Sequence, residues 1–263
     1  MYIGRGRRGV VKAFVLVLSL VAGCGSGGGG AGDDDEEFDN EATGIWAGTH
    51  TPDGKTGVSA TFVAEPNGRF VVASGLVFLS GTGSVSGDRL SATATGWAPS
   101  GTIFANGSTK GSFSLTGFLF EENRSESSYT GASESGRFVF TYDAARSNRP
   151  ASRAVAAGSY ATLQGGALDA YASLGGGALA IDSSGAMTLN SPNGPNCVGN
   201  GTISVPDASR NVYTWSMTLS GCTAVNGSAS GLGYFEDLGS RANSRVVLAG
   251  ATIDTPVIVV ADK

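Results

Sequence analysis

Few residues of this chain have the type and spacing that catalysis requires. A Ser-His-Asp arrangement would have to use His50, because His50 is the only histidine. This residue comes just before Pro52 in a strand-to-turn context, which predicts an exposed turn residue. Neither a Gly-x-Ser-x-Gly elbow nor a phosphate-binding glycine loop with its lysine is present. We therefore predict no catalytic residue and no cofactor.

Paired carboxylates are the second chemical candidate, because two of them can act together in glycoside hydrolysis. The acidic candidates are Asp53, Glu121-Glu122 and Glu236-Asp237. All three lie in turn-like stretches, so we interpret them as solvated loop residues. Lys55 and Lys110 have no Ser-x-x-Lys context that would make either one a base.

Binding chemistry depends on three tryptophans, which could form an aromatic platform for a sugar or a peptide. Trp215 lies on an alternating strand and is predicted to fill a core, and the same prediction holds for Trp46. Trp97 comes directly before a turn at residues 98–101. Trp97 is therefore the candidate ligand contact. With a bulge at Gly117, Phe118 and Phe120 are expected to face opposite to Phe113 and Leu115, and without one to share their face.

The first 23 residues have the layout of a secretory signal, with a basic region followed by an apolar run. That run is about 13 residues long, whereas a membrane span needs roughly 20. Val21-Ala22-Gly23-Cys24 resembles the lipobox of bacterial lipoproteins. The resemblance implies cleavage before Cys24, acylation of its sulfur and anchoring in the lipid bilayer. Gly25, where Asp would favour the inner membrane, implies the outer membrane. An uncleaved anchor and a plainly secreted protein are the alternatives.

The other two cysteines form an even pair once Cys24 is assigned to a lipid. In the oxidising compartment that a lipoprotein implies, Cys197 and Cys222 are predicted to form a disulfide. Such a bond would contribute roughly 3 kcal/mol on the chain-entropy model. Two free thiols and a metal pair are the alternatives. No Cys-x-x-Cys spacing supports a metal, so we predict no metal site.

Removal of residues 1–23 leaves 13 basic and 22 acidic residues, because all four basic residues of that segment are lost. This acidic balance argues against nucleic acid and against anionic head groups as partners. Residues 24–43 read as a Gly-rich acidic tether. The acidic run at 33–37 is interpreted as a solvated spacer, with a calcium site and a surface-export signal as alternatives.

From residue 44 onward, alternation with period two predicts an all-β body. Turn signals with Asn and Gly separate the strands, and 166–174 is predicted to form a short helical turn. Weak internal matches at offsets near 114 to 120 predict two similar small antiparallel barrel or sandwich domains of about eight strands each. These would be residues 44–143 and 158–263, joined by a linker at 144–157. The matched segments are 44–47 with 158–161, 66–71 with 183–188, 83–86 with 202–205, and 106–108 with 226–228.

Two further resemblances concern the body. The segments 196–203 and 211–222 are similar to the C-terminal half of a group of uncharacterised lipoproteins of Gram-negative bacteria. Gly44-Ile45-Trp46 matches the Gly-x-Trp pattern that opens the first strand of lipocalin-like barrels. These resemblances imply a location in the outer membrane and an architecture, but no reaction.

The resulting hypothesis is a lipid-anchored envelope protein that acts as a non-catalytic binding or structural module. Its ligand would be an unknown protein or glycan. The alternatives are a small-barrel inhibitor of a secreted protease and an enzyme acting on polysaccharide. We expect a reductant to lower the melting temperature of the C-terminal half and to leave residues 44–143 unaffected; an equal shift in both halves would mean that the body is one cooperative domain.

Overall fold

The computed structural model describes residues 42–120, 123–164, 171–192, 194, 196–223 and 225–263. These residues form two closed antiparallel β-barrels of eight strands, so the predicted all-β class with two similar small domains is confirmed. Both barrels belong to one compact unit.

The first barrel connects each strand to its neighbour along the chain. Its strands are β1 (Gly44–Pro52), β2 (Val58–Ala64), β3 (Arg69–Ser74), β4 (Phe78–Ser86), β5 (Arg89–Trp97), β6 (Lys110–Phe120), β7 (Arg124–Gly131) and β8 (Glu134–Tyr142). The last strand pairs with the first, so that Tyr142 lies opposite Trp46. This closure leaves no free strand edge in the barrel.

Alternation along the strands decides which side chains fill the first barrel. In β6, Phe113 and Leu115 point inward and are buried, whereas Ser112, Ser114 and Thr116 are exposed. Because successive side chains of a strand point to opposite faces, one face of each strand faces the interior. In β6 the small hydroxyl side chains face outward.

The second barrel has the same order of eight strands and one extra short strand. Its strands are β9 (Gly158–Thr162), β10 (Ala172–Ser173), β11 (Ala178–Ile181), β12 (Ala186–Ser191), β13 (Cys197–Ser204), β14 (Tyr213–Ser220), β15 (Gly227–Leu238), β16 (Arg241–Ala251) and β17 (Pro256–Asp262). The barrel closes where β17 pairs with β9, and β10 adds to the start of β17 in parallel. The helical turn predicted at 166–174 is wrong for residues 172–173, which are strand; residues 165–170 lie outside the described part.

Two short helices connect the barrels, α1 (Ala144–Ser147) and α2 (Arg153–Ala156). The Asp143 carboxylate caps α1 by accepting from the backbone N–H of Arg146 at 2.9 Å. Ser147 is buried and bonds to both backbone groups of Ile45 in β1: its Oγ accepts from N–H at 2.8 Å and donates to C=O at 3.0 Å. The connection is therefore fixed to the first barrel by buried hydrogen bonds.

The internal match of 66–71 with 183–188 falls on equivalent turns. Gly68 and Gly185 each close the turn between the second and third strands, with positive φ angles of 76° and 90° that glycine adopts readily. Each glycine donates its N–H to the carbonyl three residues earlier at 3.0 Å. Each glycine carbonyl then accepts from the fourth strand, from Gly83 at 2.9 Å and from Ile203 at 2.8 Å. The two barrels therefore share details of their hydrogen bonding.

Three apolar clusters stabilise the body. One fills each barrel, and the third lies between the barrels. We call this third set the inter-barrel cluster; its members are Ile45, Val63, Val71, Phe78 and Trp97 of the first barrel, and Tyr171, Val212, Leu232, Tyr234, Val247, Ala249 and Ile258 from the second half. All of them are buried, so they hide part of the outer faces of β1–β3 and β15–β17 from water.

Candidate ligand-binding site

The largest of the described surface depressions lies on the outside of the first barrel. It has a volume of about 650 Å³ and crosses the four strands β5–β8. We call it the arginine–phenylalanine cleft, after Arg89, Phe118 and Arg137 in its lining. In the register of the strands, Glu126 and Val139 continue the row that Arg89 and Phe118 begin, and Arg137 lies in the next row.

The cleft is an outer surface because its main side chains occupy outward positions. The pairing of β6 with β7 continues without interruption through Gly117, which lies opposite Ser127. Strict alternation therefore places Phe118 and Phe120 opposite the inward side of β6, and their exposed fractions are 42% and 45%. Their ring centroids are 6.2 Å apart. Two neighbouring phenylalanines thus face solvent without a bulge, so the expectation that they would then share the face of Phe113 and Leu115 is wrong.

The cleft is rich in arginine, although the chain carries a net charge of −5. The Arg89 guanidinium lies 5.9 Å from the centroid of the Phe118 ring. Arg124 is paired with Glu126. Within the described part of the chain, Arg89 and Arg137 have no carboxylate partner within salt-bridge distance. Two exposed cations therefore remain available to an anionic ligand.

A row of hydroxyl groups runs along the same cleft. Ser91, Thr116 and Ser128 are aligned across β5, β6 and β7, and all three are exposed. Arg137 continues this row on β8. Hydroxyl groups both donate and accept hydrogen bonds, so the row offers polar contacts between the cations.

Trp97, the predicted ligand contact, lies at the junction of the two barrels. Its exposed fraction is 6%, and its Nε1 donates to the carbonyl of Asp254 at 3.0 Å. The ring packs against Phe78, with centroids 5.9 Å apart. A smaller pocket of about 220 Å³ adjoins it, also lined by Tyr171 and Pro256. Trp97 therefore serves mainly as a contact between the barrels.

Two exposed isoleucines lie on the loops beside Trp97. Ile103 follows β5 and has an exposed fraction of 64%; Ile253 precedes β17 and reaches 80%. The loops are linked because the Lys110 ammonium, which lies 5.9 Å from the Trp97 ring centroid, also binds the carbonyl of Ile253. Trp46 and Trp215, by contrast, are buried inside their barrels, as predicted.

His50 is not an exposed turn residue, and that prediction is wrong. It lies in β1 with 2% exposure, and its ring stacks on Phe138 at a centroid distance of 4.6 Å. Its Nδ1 is 3.0 Å from Ser74 Oγ and its Nε2 is 2.9 Å from the Tyr129 hydroxyl. The strand extends two residues beyond His50, so that its inward position is enclosed by the barrel.

The surroundings of His50 hold it in the neutral form. Burial, and secondarily the charge of Lys55, lowers the pKa of His50 to about 4. Burial also raises the pKa of Tyr129, so its hydroxyl keeps its proton and donates to Nε2. Nδ1 then carries the imidazole proton and donates to Ser74. The side chains of His50, Ser74 and Tyr129 hydrogen-bond to one another. None of the three lines the described clefts.

The carboxylates considered for catalysis are engaged elsewhere. Glu236 accepts from Arg146 at 3.0 Å, and Asp237 accepts from Arg149 at 2.7 Å. Asp53 accepts from the Ser135 hydroxyl at 2.5 Å. The first two pairs link the connecting segment to the second barrel. Residues 121 and 122 lie outside the described part.

The predicted disulfide is present. Cys197 at the start of β13 is bonded to Cys222, which follows β14, and 25 positions separate them in the sequence. Both cysteines are buried. The predicted lipid attachment point, Cys24, lies outside the described residues, as do the signal segment and the acidic run at 33–37.

Among the described residues there is neither a membrane-spanning helix nor a cluster of metal ligands. In that part of the chain, no helix is both long and apolar enough to cross a bilayer. The same residues contain no group of three or more His, Cys, Asp or Glu side chains that could hold a metal ion.

Comparison with known proteins gives no assignment. No protein-family model matches the chain, and no curated protein or solved structure matches it either. The arginine–phenylalanine cleft was missed by sequence reasoning because its residues come from four strands between positions 89 and 139. One signal was present: in a regular strand, even-numbered Phe118 and Phe120 must face away from odd-numbered Phe113 and Leu115.

Proposed function

We propose that this chain is a non-catalytic binding module of the bacterial envelope that uses the arginine–phenylalanine cleft to hold its ligand. The acylated Cys24 would anchor it in the outer membrane, as the lipobox resemblance implies. The observation that carries the proposal is one concave surface that combines the exposed ring of Phe118, with Phe120 beside it, and two arginines that lack carboxylate partners among the described residues.

The packing of the barrels supports a site on the outside. Both interiors are filled by buried apolar clusters, and those clusters leave side chains little room to move. A ligand that approached the first barrel would meet the outer faces and the loops. Exposed aromatic and arginine side chains are the groups that anchor binding surfaces most often.

The chemistry around the cleft supports binding without turnover. Its acidic group, Glu126, is paired with Arg124, and the lining contains neither a second carboxylate nor a histidine or lysine that could act as a base beside the hydroxyl groups. The histidine that could act as a base is enclosed in the barrel with its two ring nitrogens engaged.

A binding screen tests this function. The full chain, purified in detergent, would be applied to arrays of bacterial and host glycans and proteins. The cleft variant F118S/F120S/R137Q should lose at least tenfold in affinity for the ligand found, because it removes the exposed aromatic ring of the lining, its neighbour Phe120 and one cation. A matched control, I253S/R241Q, removes an exposed isoleucine and an exposed arginine of the second barrel and should bind normally.

Two outcomes would contradict the proposal. One is retention of full affinity by the cleft variant. The other is turnover of a substrate that a single substitution abolishes.

Lipid attachment is tested separately, by mass spectrometry of the N-terminal peptide of the wild type and of a Cys24→Ser variant.

An inhibitor of a secreted protease is the second candidate function. The observation in its favour is the pair of exposed loop isoleucines, Ile103 and Ile253, since apolar side chains on loops can enter a protease subsite. Protection of a protease substrate at micromolar protein, lost in the I253S/R241Q variant, would support it. Full protease activity across a panel would count against it.

A further inference from the structure

We propose that the ligand of the arginine–phenylalanine cleft is an acidic oligosaccharide, which deepens the proposed function and rests on it. The size of the cleft is the first argument. Four adjacent strands at a spacing of about 4.8 Å give it a width of roughly 14 Å, enough for a short run of sugar rings. Its volume of about 650 Å³ lies in the range of small-ligand sites.

The surface next to the cleft fits a protein partner poorly. A standard protein interface needs roughly 800 Å² on each side and large anchoring side chains at its centre. The next row of the barrel, in contrast, consists of short hydroxyl side chains that are all exposed: Thr82, Thr93, Ser114 and Thr130. The aromatic anchors are confined to Phe118 and Phe120.

The charge pattern selects an anion with several negative groups. Arg89 lies on β5 and Arg137 on β8, so the two guanidinium groups are at opposite corners of the cleft. Hydrogen bonds between guanidinium and carboxylate are among the strongest polar contacts in proteins. A single carboxylate would reach one arginine, whereas a chain with a carboxylate on successive rings would reach both.

The remaining groups match a sugar chain. The apolar face of a pyranose ring can pack on Phe118, whose ring is exposed beside Arg89. The hydroxyls of Ser91, Thr116 and Ser128 can exchange hydrogen bonds with the hydroxyls of the ligand, because each is both a donor and an acceptor. A peptide would offer fewer hydroxyl partners for this row.

Titration calorimetry with the full chain tests the inference. The probes are a tetragalacturonate, the same tetramer as its methyl ester, and a tetraglutamate peptide of equal charge. The acidic sugar is expected to bind with a dissociation constant below about 1 mM, at least tenfold tighter than either the ester or the peptide. Binding should weaken as sodium chloride rises, because salt screens exposed charges.

Variants locate the site. R89Q and R137Q should each raise the dissociation constant by about tenfold, since each removes a charge-assisted contact. F118S should weaken the acidic sugar and the methyl ester by the same factor. R241Q, an exposed arginine of the second barrel, should leave binding unchanged.

The outcomes separate this inference from the proposed function. Equal affinity for tetraglutamate, equal affinity for the methyl ester, or no detectable binding of the acidic sugar would each overturn the acidic-oligosaccharide assignment. The proposed function would survive these results if the cleft variant F118S/F120S/R137Q lost affinity for the ligand that the array identifies. It would fail if that variant bound the ligand with normal affinity.

Discussion

The last three strands of the two barrels occupy the same place in the fold but have opposite surroundings. In the second barrel, the outward side chains of β15–β17 include Tyr234 and Ile258, which are buried in the inter-barrel cluster. In the first barrel, the outward side chains of β6–β8 include Phe118 and Arg137, which face solvent. One copy of this face therefore holds the neighbouring barrel, and the other copy is open to a ligand.

This difference follows from how the barrels meet. Strands β1–β3 of the first barrel contact β15–β17 of the second, so unlike faces are joined. A contact between unlike faces can in principle repeat from molecule to molecule. Charges on the open face of the first barrel oppose such repetition, because burying Arg137 without a partner would cost free energy. The same arginines that attract an anion thus favour a single pair of barrels.

The largest expected effect tests whether the two barrels behave as one unit. Phe78 is fully buried and packs on Trp97 and Tyr171, so Phe78→Ala should lower the free energy of unfolding by about 3–5 kcal/mol. Both barrels should lose stability together when their thermal unfolding is monitored by hydrogen exchange. Separate transitions, with only the first barrel affected, would show that the interface does not couple them.

The disulfide provides a second test of the same coupling. Reduction, or the C197A/C222A variant, should lower the free energy of unfolding by roughly 3 kcal/mol, because the loop of the unfolded chain is released. The buried interface leads us to expect an equal shift in the melting temperatures of both barrels. A shift in the second barrel alone would restore the expectation for independent halves.

Acid should destabilise the fold through His50, the histidine enclosed in the first barrel. Its folded pKa of about 4 is below the unfolded value of 6.5, so its neutral form stabilises the fold above pH 6.5. That contribution, about 3 kcal/mol, should be lost as the pH falls from 6.5 to about 4. The control is His50→Gln, which has no titrating group; subtracting its pH profile of chemical denaturation isolates the effect. Parallel profiles for the two proteins would contradict it.

The smallest effect is expected in the cleft itself. Phe118→Ser should change the free energy of unfolding by less than about 0.5 kcal/mol, because the ring is exposed on the outer face. Phe113→Ala, on the inner face of the same strand, should cost about 3–5 kcal/mol. Denaturation curves compare the two. A large loss in Phe118→Ser would assign the ring a structural role.

Alternation and turn residues were sufficient to predict two small β domains. The alternation is visible in the sequence because strands such as β6 have one buried face and one face in water. Strand β3 does not have one solvent-exposed face, because Val71 and Val72 are both buried. Here one residue faces the barrel interior and the other faces the neighbouring barrel, so the strand appears as a continuous apolar run. The cleft could not be predicted because its members meet only through the register of four strands.

The apolar outer face of β1–β3 has a consequence for the newly made chain. The first barrel is complete in sequence at Tyr142, whereas its covering strands end only at Asp262. Until those last residues have been synthesised, a folded first barrel would expose Ile45, Val63 and Val71, and such a patch promotes aggregation. Chains truncated after residue 157 should therefore require a chaperone to stay dispersed, whereas the full chain shields the patch with its own last strands.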